Sequence, residues 1–382
     1  MLSLIASVAL LSAQDQPPRL RTVLDNGSII LVESMPREHV ISVQLFASAK
    51  YVPETEETHG YRHLLEHLVA RGDGRLDRKL ESEACFLQAS TLRDAMQVEL
   101  TVGPSQLQVA LDSLATILRK PQFTQEQIDN EVRIIRSELA MEDDPLLLSS
   151  AAWKAAYGDA GLDPQGTFDS MYRATPEKLD QVFDRQFAGD GLALVIAGPV
   201  DLDKATGAAE ALLTPFPKGR FPASPEGRFG KPGRANARGF GECRGAIVPG
   251  FSMPQTASAL AAALAIANEL PNCFVTYTPT AHAGLVLVGR TDMNSGVGLY
   301  IDGLKSGAGL MARGKMLARR WVESQLRTPS GIAYLRGLLL CQGASYRPET
   351  MLDQIDAVTP KEFDDAIKAF SADRAAIAVG TR

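Results

Sequence analysis

Between Gly60 and Arg71 the chain reads G-Y-R-H-L-L-E-H-L-V-A-R, and this segment constrains the fold more than any other. Three of the five histidines, His59, His63 and His67, fall within nine positions here. Glu54 to Thr58, acidic where a helix dipole favours acids, makes a polar entry to a helix running from about Gly60 to Arg71. On that helix His63 and His67, four residues apart, are separated by about 6 Å along the axis and roughly 40° in azimuth, so both imidazoles face one way. Two neutral histidines so placed can bring nitrogens to about 2 Å from one Zn²⁺. Glu66 lies beside them, close enough to hold a water on such a metal. The order H-x-x-E-H inverts H-E-x-x-H, with the carboxylate on the other side of the histidine pair. His59 precedes the helix and reads as incidental. The alternative is a surface helix carrying histidines by chance.

A catalytic zinc takes three protein ligands and keeps a fourth position open. The segment N-E-V-R-I-I-R-S-E-L-A-M-E-D-D-P offers Glu131 and Glu138, two helical turns apart on one face, with Glu142 nearby. The same spacing also suits an ordinary amphipathic helix that buries Val132, Ile135 and Leu139 and leaves its acids solvated, and both readings stay open at this point.

Around these segments the sequence alternates strands and helices. Two β-rich runs flank Asp25-Asn26-Gly27, a hairpin signal because the turn needs positive φ. A third strand is expected over 39–47, a short helix over 76–84, and strands near 86–89 and 95–102. Helices follow over 104–120 and from 124 until Pro145 interrupts, then a helix at 175–187, a strand at 191–201 and a helix at 201–214. The stretch 216–241 is rich in Pro, Gly and Arg and reads as a linker. Residues 242–382 repeat the earlier logic in shorter form, and R-A-A-I-A-V-G-T near the end echoes L-A-L-V-I-A-G-P-V-D. The expectation is an α+β protein: a domain at 19–215, a linker at 216–241 and a shortened related domain at 242–382.

A formal charge of −6, with no basic run interleaved with aromatics, argues against nucleic-acid binding. Leu2–Leu11 is apolar but too short to span a bilayer, which needs about 20 helical residues. It is expected to belong to a signal peptide ending near Ala13, and hence to indicate export to a bacterial periplasm. A buried N-terminal segment is the alternative. Cys85, Cys243, Cys273 and Cys341 show no metal or redox spacing. They read as small core residues, with Cys243 pairing to Cys273 or Cys341 as the other option.

The two motifs together resemble the pitrilysin/insulysin family of zinc peptidases, which includes the mitochondrial processing peptidase. Its pattern, G-x-x-H-x-x-E-H followed by E-x6-E and an M-x-E-D-x-P-like segment, is met by Gly60, His63, Glu66, His67, Glu131, Glu138, Met141, Glu142, Asp143 and Pro145. The resemblance implies a zinc held by His63, His67 and Glu138. It further implies Glu66 as general base toward the attacking water and Glu131 orienting a ligand histidine. In L-Q-A-S-T, Ala89 and Thr91 match a substrate-facing strand, and Gln88 replaces the family's usual Asn. Tyr277 is the remaining candidate for substrate binding, without the family's accompanying Arg, and its other reading is a plain strand aromatic. The family encloses peptides between two clam-like halves, and this chain has one half's length. A homodimer, or a heterodimer whose partner supplies an Arg/Tyr clamp, is therefore implied. The rival reading is a subunit that holds zinc and binds peptides without cleaving them.

Overall fold

The structure is a computed structural model that describes residues 17–71, 75–221, 229–291, 296–344 and 347–381. The leader expected at 1–13 lies outside the described residues. The first half runs through β1 (Arg19–Val23), β2 (Ile29–Ser34), β3 (Ile41–Ser48), α1 (Tyr61–Ala70), α2 (Arg75–Ser82), β4 (Phe86–Thr91) and β5 (Ala95–Val102). It continues with α3 (Leu107–Ile117), α4 (Gln125–Ala140), α5 (Asp144–Tyr157), α6 (Phe168–Met171), α7 (Pro176–Gln186), β6 (Leu192–Gly198) and α8 (Leu202–Leu213). The second half comprises β7 (Arg234–Arg238), β8 (Glu242–Val248), α9 (Pro254–Glu269), β9 (Cys273–Tyr277), β10 (Gly284–Arg290) and α10 (Val297–Gly303). It closes with α11 (Ala308–Gln325), α12 (Pro329–Cys341), α13 (Thr350–Ala357), α14 (Pro360–Ala369) and β11 (Ala376–Thr381).

The strands form two mostly antiparallel sheets, ordered β1-β2-β6-β3-β5-β4 and β7-β11-β8-β10-β9. Apart from β1 the two orders correspond strand for strand. The strand that ends each half, β6 or β11, inserts parallel to one neighbour and antiparallel to the other. The sequence echo falls on these two strands, so the expected pair of related α+β halves is borne out by topology. The hairpin at Asp25-Asn26-Gly27 is also present, with Gly27 at φ +87° joining β1 to β2.

Each half lends a helix to the other. Helix α12 lies on β3 and β6, where Ile332, Ala333, Leu338 and Leu340 pack on Leu31, Phe46, Val195 and Ala197. Gly337 makes this approach possible, because a Cβ there would sit 2.3 Å from the Phe46 ring. Helix α5, reciprocally, lies under β7, β8 and β11, with Leu148, Ala152 and Tyr157 against Cys243, Leu285, Leu287 and Ala376. Pro145 stands in the first turn of α5, where its missing N–H costs no hydrogen bond, and Asp143 caps that turn by accepting from the Leu146 N–H.

One expectation changes, and the choice left open for the cysteines goes to the core-residue reading. The stretch read as a linker contains β7, a strand of polar sequence that forms because β11 pairs with it and α5 packs on it, a case of tertiary context outweighing propensity. All four cysteines are free thiols, with Cys85, Cys243 and Cys341 buried as core residues.

Candidate metal centre

Helix α1 lies against α4, α7 and β4, and nearly all its side chains are buried, including Arg62, His63, Glu66 and His67. Four polar side chains on a buried helix each need a partner. Arg62 donates from Nε to Glu54 Oε1 at 2.8 Å, and from its two Nη atoms to the carbonyls of Leu92 and Arg93. Glu54 also accepts the Gly60 N–H, which fixes the start of the helix. Glu66 accepts the Thr91 hydroxyl at 2.9 Å.

The two histidines are each held at Nδ1. His63 Nδ1 lies 3.0 Å from the Gln165 carbonyl, and His67 Nδ1 lies 3.0 Å from Glu131 Oε2. Both partners only accept, so each Nδ1 carries the proton and each Nε2 presents a lone pair. Those lone pairs meet Glu138, whose Oε2 is 3.3 Å from His67 Nε2 and 3.8 Å from His63 Nε2. The three ligand atoms all lie within 4.8 Å of one another. A tetrahedral zinc site with bonds of about 2.0–2.1 Å has edges of about 3.3–3.4 Å. The His67–Glu138 pair already has that spacing and the other separations are wider, so small side-chain rotations would close the two imidazoles and the carboxylate on one ion. Glu138 is 43% exposed, which leaves the site open on one side.

Burial lowers the His63 imidazole from its ordinary range, and the neutral form it favours is the ligating one. Burial likewise raises the Glu66 carboxyl, while His67 and the Thr91 hydrogen bond pull the other way. Residues 161–166 pass beside His63. Arg93 donates to the carbonyls of Gly161 and Leu162 and to Asp163 Oδ2, each at 3.0 Å. The loop backbone reaches His63 because Gly60 and Gly166, both at positive φ, touch without side chains. A Cβ on Gly166 would lie 2.3 Å from the Gly60 Cα.

His63, His67, Glu66, Glu131 and Glu138 are therefore brought together as the sequence suggested. Ala89 sits half-buried on β4, the edge strand of its sheet. Gln88 is exposed and points to the face opposite Thr91, by the alternation of a strand. Tyr277 is not at the centre. Its ring stacks on Phe251 at 6.4 Å and packs against Trp321 in the second half's core, which leaves it no face to offer a peptide. His59, read as incidental, lies 2.6 Å from the Asp163 carbonyl and ties the same loop to the start of α1. Arg62, Arg93, Asp163 and Gln165 carried no sequence signal; their roles depend on contacts from turns and loops distant in the chain.

Fold and site define a two-sheet α+β protein carrying an inverted H-x-x-E-H helix with a convergent glutamate. Residues 29–164 match the family profile described as insulinase (peptidase family M16), so the resemblance to the pitrilysin/insulysin peptidases is borne out. The chain is 26% identical over 202 residues to a probable mitochondrial-processing peptidase subunit beta of Arabidopsis thaliana, covering 50% of this chain and 38% of that protein. It is 26% identical over 205 residues to an uncharacterized zinc protease of Rickettsia felis, covering 51% and 50% respectively. These matches thus span two-fifths to half the length of the curated relatives. The crystal structure of a protease from Helicobacter pylori has the same fold, with a TM-score of 0.83 at 14% identity over 96% of this chain and 100% of that one.

Proposed function

We propose that this chain is a zinc-dependent endopeptidase subunit that hydrolyses peptides or small unfolded proteins. The observation that carries the reading is the Nδ1 anchoring of both histidines, which turns two Nε2 lone pairs toward Glu138. When bound there, zinc supplies a Lewis acid that polarises the scissile carbonyl and makes water nucleophilic near neutral pH. Glu66, held by Thr91 beside that site, takes a proton from the attacking water and passes it to the leaving amine. Among the described residues no strand pairs with the outer edge of β4, so an extended substrate can add there as a further strand.

Names of relatives that call them subunits support a pairing, either with a second copy or with a related chain bringing the Arg/Tyr clamp. No helix among the described residues is long and apolar enough to cross a membrane. Export to a periplasm remains part of the proposal, resting on the N-terminal apolar run. A second reading, a zinc-holding subunit that binds without cleaving, is favoured by the enclosure of Tyr277.

The test is zinc content together with cleavage of a quenched unstructured peptide. One zinc per chain is expected, with cleavage abolished by a chelator and restored by added zinc. Zinc without cleavage, alone and with related subunits, would establish the second reading; absence of zinc binding would overturn both. The Glu131→Gln substitution replaces the carboxylate that orients His67, and it is expected to weaken zinc binding by about 10–100-fold in a chelator competition.

A further inference from the structure

His63 is positioned by a relay that begins outside the metal centre. The Gln165 carbonyl that accepts from His63 belongs to a loop whose own N–H, at Gln165, donates to Asp163 Oδ1 at 3.0 Å. Asp163 Oδ2 accepts from Arg93 and from the hydroxyl of Ser150, and its backbone carbonyl meets His59. Arg93 is pinned in turn, with its guanidinium 4.6 Å from the Trp153 ring. Trp153 and Ser150 both lie on α5, the helix packed beneath the second sheet. The partners converge from α1, from the turn between β4 and β5 and from α5, so the loop has little freedom to slide. Thr91, the donor to Glu66, ends β4 immediately before that turn.

We propose that Asp163 is a positioning residue of the metal centre. By holding the Gln165 peptide it fixes His63 in the tautomer and orientation that aim Nε2 at Glu138. The inference rests on the reading of His63, His67 and Glu138 as zinc ligands. An asparagine at 163 retains an acceptor for the Gln165 N–H but loses the charge that Arg93 faces and the acceptor, Oδ2, that Arg93 and Ser150 share. Loosening the loop lets the His63 ring rotate about its χ angles, so affinity falls while the three ligands remain present.

The experiment measures zinc dissociation constants by competition with a chromophoric chelator, and visible spectra of the cobalt-loaded proteins. It uses wild type, Asp163→Asn and, as a destabilised control remote from the metal, Arg336→Met. Asp163→Asn is expected to bind zinc about tenfold more weakly and to change the cobalt band, whereas the control stays within about twofold of wild type. Equal affinity and an unchanged cobalt spectrum in Asp163→Asn would overturn the inference. So would an equal loss in the control, which would make the effect one of general stability. Should Asp163→Asn not fold, Ser150→Ala decides instead: about threefold weaker binding supports the relay and unchanged binding overturns it. Failure of the wild type itself to take up zinc would sink the reading of the centre, a result distinct from either of these.

Discussion

Glu66→Gln is expected to leave zinc content at the wild-type level and to cut peptide hydrolysis by about 10²–10⁴-fold, the range for a positioned general base. The two halves of that result have separate causes. Glu66 is not among the three groups that converge, so its loss removes no ligand atom. Glutamine keeps the shape, and its carbonyl oxygen can still accept the Thr91 hydroxyl that now reaches Glu66 Oε2. What it cannot do is take up a proton. The loss corresponds to about 3–5 kcal/mol of transition-state stabilisation, at 1.36 kcal/mol for each factor of ten. Steady-state kinetics on a quenched unstructured peptide, with metal analysis of the same samples, reads both quantities. A variant that cleaves as fast as wild type would remove Glu66 from the chemistry. One that loses its zinc would mean the carboxylate supports the metal rather than the water.

The part of this centre legible in the sequence is the part set by one helix at a time. His63, Glu66 and His67 share a face through the period of α1, and Glu131 and Glu138 share one through the period of α4. The resemblance joined the two helices, and their convergence on a common point followed it. What fixes the ring orientations was not legible. The Gln165 carbonyl is a backbone group, and it reaches His63 only because two glycines far apart in the chain meet. The fold behaved similarly. Strand and helix positions in the first half, apart from α5 and the short α6, which the sequence reading did not place, followed hydrophobic periodicity and turn chemistry closely. The echo between the two halves marked topologically equivalent strands. The exchange of α5 and α12 did not show, because an apolar helical face records that it is buried and not which sheet buries it. Tyr277 failed for the same reason: a strand aromatic reads alike whether it faces a cavity or a core.

That exchange sets the second large effect. Arg336→Met is expected to destabilise the protein by about 3–5 kcal/mol, measured as the free energy of urea unfolding. Arg336 on α12 is 1% exposed, and its Nε lies 2.7 Å from Oε2 of Glu33 on β2, which is wholly buried. Its Nη2 lies 2.7 Å from Glu349 Oε1. Arg19 approaches the same two carboxylates at 4.0 and 3.7 Å, too far to replace the guanidinium. Methionine fills much of the volume but leaves Glu33 as a buried carboxylate without its close cation, and that stranded charge is the source of the cost. The pair itself need not be a large net stabiliser, since desolvating both ions offsets most of their attraction. The double variant Arg336→Met with Glu33→Leu separates these terms: it removes the stranded charge and is expected to recover most of the loss. Glu349 adds a pH signature. Burial would raise its carboxyl, but hydrogen bonding and attraction from Arg336 hold it below the ordinary range. A depressed carboxyl contributes stability that is complete above the unfolded glutamate range, about 4.3, and is lost as pH falls through the folded value. The wild type should therefore lose stability on acidification more steeply than Arg336→Met, in which Glu349 no longer has that partner. Equal stabilities for Arg336→Met and wild type would show that α12 is held on the first sheet by its apolar face alone.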